Sequence, residues 1–199
     1  MNKKKQMIMK KLFIVLVVGL MLAACTREEV DVFSLEDNYI YFPYDNGTTL
    51  ATSMVPGDSI YYFYNKSSLT VKSAQQRDTF YFEVRAAGLA KSVDRQIKIV
   101  PWSCEVSGFT EAVEGVNYVP FDDPEMVKNL VLPADSVQVK IPVIVTYDPS
   151  IAGTAKSFIV GLKLIDSGDL RVMGTNFNIT VVDKAARTHA CVRFNQSSL

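Results

Sequence analysis

Residues 136–147 and 156–166 constrain the fold more than any other part of this chain, because apolar side chains recur there at every second position. In the first stretch Val137, Val139, Ile141, Val143 and Val145 fall on one side of an extended chain, with Gln138, Lys140 and Thr146 opposite. In the second, Phe158, Val160, Leu162 and Leu164 share a side. Successive side chains of a strand point to opposite faces, so this period marks strands with one buried and one wet face. A sheet covered on both faces would read instead as unbroken apolar runs. The alternation recurs at 78–87, where Phe80, Phe82 and Val84 share a face. Shorter β-rich stretches lie at 38–44, 58–65, 96–102 and 176–182, between breaks such as Asp45-Asn46-Gly47 and Pro56-Gly57. After residue 25 no stretch sustains a 3.6 period for three turns; only 123–129, through Pro124-Glu125-Met126, predicts a short helix. Seven or so strands in about 150 residues predict an all-β, antiparallel sandwich of immunoglobulin-like kind. It would occupy residues 37–183, as one domain or two small lobes.

The N-terminus follows different rules. Lys3, Lys4, Lys5, Lys10 and Lys11 precede an apolar run over residues 12–22, interrupted only by Gly19. A basic segment followed by about 7–15 apolar residues is the pattern of a secretory signal. A bilayer crossing needs about 20. Leu22-Ala23-Ala24-Cys25 resembles the lipobox of bacterial lipoproteins. That resemblance implies cleavage after residue 24, lipid modification of Cys25, and a membrane anchor of several acyl chains. Thr26-Arg27-Glu28-Glu29-Val30-Asp31 resembles the surface-export signal of Bacteroidetes lipoproteins, which implies display on the outer membrane. Residues 25–36 then form a tether and residues 184–199, which lack an evident strand period, an irregular tail.

Loss of residues 1–24 removes five lysines, leaving 16 of the 21 cationic side chains against 21 anionic ones. A net charge of −5 with no basic stripe disfavours nucleic acid as a partner. Two cysteines remain beyond Cys25, Cys104 and Cys191. An exported compartment permits a bridge, but spacing alone does not say whether the two meet.

Chemistry-bearing constellations are sparse. His189 is the single histidine and falls in the expected irregular tail, a poor place for a preorganised catalytic group. No Cys/His spacing fits zinc, and no glycine-rich phosphate loop is present. The carboxylates Glu111, Glu114, Asp122, Asp123 and Asp148 read as solvated loop acids; the competing readings are a glycosidase-like pair or a weak calcium site. The expectation is a non-enzymatic protein without metal or cofactor. Aromatic stretches offer more. If Tyr61 and Phe63 point inward, Tyr62 and Tyr64 point outward, and Trp102 could join them. Such a ladder presents flat apolar faces with hydroxyl handles, suited to sugar rings or a protein partner. Tyr62, Tyr64 and Trp102 are therefore the candidate ligand-binding residues. The competing reading is ordinary packing beneath loops.

The stretch 94–182 carries a resemblance. Residues 94–100 (Asp-Arg-Gln-Ile-Lys-Ile-Val) are followed by Ala112-Val113-Glu114-Gly115-Val116-Asn117-Tyr118 and by residues 130–136 (Leu-Val-Leu-Pro-Ala-Asp-Ser). The pattern resembles uncharacterised Bacteroidetes surface lipoproteins often encoded near glycan-uptake systems, with a turn similar to that of Calx-beta sandwich repeats. The resemblance implies a lipid-anchored surface module that binds a polysaccharide or joins a glycan-uptake complex. The alternative is a structural or adhesive protein with a protein partner. Calcium-binding Calx-beta repeats place Asp where this chain has Asn117, a weaker ligand for a hard cation.

Overall fold

The computed structural model describes residues 38–43, 48–55, 58–172 and 188–197, all within one compact unit. Residues 1–36, with the lipobox and Cys25, and the expected strand at 176–182 lie outside the described residues.

The described residues form β1 (Asn38–Tyr41), β2 (Thr48–Val55), β3 (Asp58–Asn65), β4 (Leu69–Val71), β5 (Arg77–Ala87), β6 (Arg95–Gln96) and β7 (Lys98–Pro101). Then follow β8 (Thr110–Glu111), a one-turn helix α1 (Pro124–Val127), β9 (Val131–Leu132), β10 (Gln138–Thr146), β11 (Lys156–Ile165), β12 (Leu170–Val172) and β13 (His189–Gln196). One sheet runs β10-β5-β1-β12 and the other β2-β3-β13-β11-β7, with β4 paired to β13 and β8 to β11; β6 and β9 form a separate pair. The architecture is an all-β sandwich. Its sheets are mixed: β1 runs parallel to β12, β13 to β3 and β4, and β8 to β11, so the antiparallel expectation holds only for the other pairings.

The alternation read from sequence builds the core. Antiparallel register sets Val84 against Val139, Phe82 against Ile141 and Phe80 against Val143. In the facing sheet Phe158 meets Phe194, Val160 meets Val192 and Leu162 meets Ala190. The Phe158 and Phe194 rings stack at 5.2 Å. These inward chains pack as one cluster with Ile40, Phe42 and Phe63. Each fully buried Val, Ile, Leu or Phe among them contributes about 1.5–3 kcal/mol. Val137, expected inside, is 41% exposed, since it lies just before the first residue of β10. The short helix forms as expected. Asp123 caps it by accepting from the Glu125 N–H at 2.7 Å, Pro124 opens it, and Met126 is buried.

The tail expectation fails. β13 lies inside the larger sheet, antiparallel to β11 over eight residue pairs and parallel to β3 and β4 on its other side. The cause is a short alternation: Ala190, Val192 and Phe194 face the core, while His189, Cys191, Arg193 and Asn195 face the opposite way. The sandwich therefore extends past residue 183.

Candidate recognition site on the outer face of the large sheet

The outer faces of β3, β11 and β13 carry Tyr62 and Tyr64, Ile159 and Gly161, and Cys191 and Arg193. Residues 102–109 fold over this face, and both ends of the excursion are fixed to β11. At the start, β7 pairs with β11 up to Pro101 opposite Leu162, and the Trp102 N–H donates to the Gly161 carbonyl at 3.0 Å. At the end, β8 rejoins the same strand with Thr110 beside Phe158. Glycine is required at 161 because a Cβ there would collide with the Trp102 carbonyl.

Under the loop lies a second, smaller core. Tyr62, Cys104, Ile159 and Cys191 are buried in it, with Tyr64, Trp102, Val106 and Phe109 packed around the rim. The rings form an arc. His189 meets Trp102 edge-on at 4.9 Å, Trp102 lies 5.5 Å from Tyr62, and Tyr62 lies 6.4 Å from Tyr64. The arc ends on Arg193, whose guanidinium sits 3.5 Å above the Tyr64 ring and 5.5 Å from that of Phe109. Asn65 positions Arg193 by accepting from its backbone N–H at 2.7 Å and donating to its carbonyl at 2.8 Å. The Arg193 Nε is buried without a hydrogen-bond partner.

The three sequence candidates are thus brought together, though not as an exposed ladder. Tyr62 is 4% exposed because the loop covers it, the packing alternative that the sequence left open. Tyr64 and Trp102 are half-buried. Sequence reasoning missed Arg193, Phe109 and Val106. The alternation of 189–195 was the available signal for Arg193.

Beside Phe109 opens a recess of about 420 Å³ lined by Cys104, Glu105, Val106, Ser107, Phe109 and Glu111. Its Glu105 and Glu111 carboxylates offer acceptors beside the apolar side chains of Val106 and Phe109. Both cysteines are free thiols. A hydrogen bond with Cys191 holds the Cys104 thiol below its ordinary value, whereas burial pushes Cys191 well up. Burial also pushes the Tyr62 hydroxyl well above the tyrosine range, with Cys104 and Cys191 adding to it.

The other sequence candidates take structural positions. Thr188 Oγ1 lies 2.7 Å from His189 Nδ1, and His189 is buried in β13 rather than carried on a loose tail. Asn117 is buried in the Gly115 turn, where its Oδ1 accepts from the Val113 N–H at 2.9 Å. Asp123 and Asp148 each cap a helical turn, Asp148 by accepting from the Ser150 N–H at 2.8 Å. Glu114 bridges to Tyr118 along the backbone. Among the described residues no three His, Cys, Asp or Glu side chains gather as metal ligands would. No described helix is long and apolar enough to cross a membrane.

No protein-family model and no curated protein matches the chain, so the resemblance over residues 94–182 finds no counterpart there. Among solved structures it is similar to a two-domain protein of unknown function from Bacteroides fragilis, at 14% identity and a TM-score of 0.33. That match covers 81% of this chain and 46% of the other, so the chain spans about half the length of that neighbour.

Proposed function

We propose that this chain is an outer-membrane surface lipoprotein, tethered through lipidated Cys25, that acts as a non-catalytic binding module for a glycan or for a component of a glycan-uptake complex. The observation that supports it most is the grouping of half-buried Tyr64, Trp102 and Phe109 with Arg193 beside the recess bearing Glu105 and Glu111. Aromatic faces stack on the apolar faces of sugar rings, while carboxylates and a guanidinium hydrogen-bond to hydroxyls. The lipid anchor and surface placement rest on the residues around Cys25.

A glycan array probed with lipid-free protein tests the reading. Binding to a polysaccharide that weakens about tenfold or more in Trp102→Ala or Tyr64→Ala, with the fold intact by circular dichroism, supports it. Failure to bind any polysaccharide, together with a stable protein partner recovered by cross-linking at the outer membrane, would replace it with the adhesive reading. Globomycin, which blocks lipoprotein signal cleavage, should make the unprocessed precursor accumulate; processing unaffected by the drug would overturn the lipid anchor.

A further inference from the structure

We infer that Cys104 and Cys191 are a redox pair whose thiols join in a reversible disulfide on meeting a disulfide oxidant, locking residues 102–109 onto the outer face of the large sheet. The inference does not depend on what the recess binds. In the antiparallel register Cys191 lies directly across from Gly161. The Gly161 carbonyl accepts from the Trp102 N–H, and the missing side chain at 161 lets the loop press down at that point. Two residues further on, the loop buries Cys104 on the face of the sheet that carries Cys191. The two are 2% and 0% exposed and belong to one packed cluster with Tyr62 and Ile159. Each thiol acts on the ionisation of the other, and Tyr62 acts on Cys104 as well.

The two sulfurs are not equivalent. Cys104 lines the open recess, whereas Cys191 lies beneath it. The thiolate is the attacking species, and Cys104 has the lower-lying thiol of the two. Glu111 and Arg193 are the charged groups that act on the pair, in opposite senses. The Cys104 thiolate attacks one sulfur of a low-molecular-weight or protein disulfide. The external S–S bond breaks and the other half leaves through the recess as a thiolate. Cys191, releasing its proton to that thiolate, then attacks the Cys104 sulfur and expels the second half. Two protein thiols lose two electrons, and one external disulfide becomes two thiols. Exported compartments supply such disulfides and the cytosol reduces them.

The reduced full chain is incubated with oxidised glutathione, quenched in acid, alkylated under denaturant and mapped by peptide mass spectrometry. The expected result is a peptide linking Cys104 to Cys191, with about a tenfold loss of both alkylated peptides, restored by dithiothreitol. Cys191→Ser should stop at a glutathione adduct on Cys104, and Cys104→Ser should leave Cys191 without one. Retention of both alkylated peptides in the unsubstituted chain would overturn the inference, with no dependence on how a variant folds. A crosslink from either residue to Cys25 in place of the internal pair would overturn it as well, and an adduct on Cys191 in Cys104→Ser would overturn the assigned order of attack.

Discussion

Asn65 holds the Arg193 backbone at both its N–H and its carbonyl: the Asn65 side-chain oxygen accepts from the Arg193 N–H at 2.7 Å and the side-chain amide donates to the Arg193 carbonyl at 2.8 Å. The same amide also donates to the Ser67 carbonyl, and the Asn65 residue is fully buried. This side chain continues the junction between β3 and β13 where direct strand pairing stops at Cys191 opposite Tyr64. Replacing Asn65 with Leu strands a buried N–H and a carbonyl, which costs about 2–3 kcal/mol. The lower urea midpoint should come with an unchanged slope, since the exposed area on unfolding is the same.

Gly161→Ala tests how closely the loop sits on the sheet. The new methyl meets the Trp102 carbonyl, so strand and loop must part. A loss of about 1–3 kcal/mol is expected. Trp102 is the single tryptophan, so its emission reports the loop directly and should move to the red as water reaches the ring. An unchanged spectrum at wild-type stability would contradict the described approach.

Alkali should unfold the protein through two phenols. Burial raises both hydroxyls, Tyr62 well beyond the tyrosine range and Tyr118 to about 12, where Glu114 and Glu111 add to the effect. In the unfolded chain such groups lose their protons near pH 10, roughly. Above that pH the native state keeps protons that the unfolded state has released. The stability they contribute is whole below about pH 10 and is lost as pH rises through the folded values. Urea midpoints measured from about pH 9 to about pH 11 should fall, and fall less in Tyr62→Phe and Tyr118→Phe.

Hydrogen exchange should find the amides of Ala190, Val192 and Phe194 among the slowest in the protein, because β13 is paired on both sides and faces the core. Truncation before His189 should abolish the cooperative unfolding transition seen by circular dichroism. A truncated chain that still melts sharply would mean that β13 is dispensable.

The legibility of the sequence varied with side-chain size. β10 and β11 were plain because long runs of Val, Ile, Leu and Phe alternate with polar residues. β13 follows the same rule, but Ala190 is small and its outward residues are Arg, His, Cys and Asn, so the run reads as an ending. Parallel pairing of β13 with β3 and β4 brings together segments more than a hundred positions apart, which periodicity cannot encode. At the site, alternation correctly put Tyr62 and Tyr64 on one face opposite Phe63. It could not foresee the cover. Residues 102–109 have no period, and their position over the sheet follows from β7 and β8 flanking them along a single strand.

That shared strand has a consequence for how such a protein can diversify. An excursion that departs from β11 at Leu162 and returns to it at Phe158 can be lengthened, shortened or exchanged while the facing core layers keep their register. Gly161 and the paired edges act as a fixed socket, so a change of loop length or sequence is felt in the small cluster beneath the loop and not in the register of the main core.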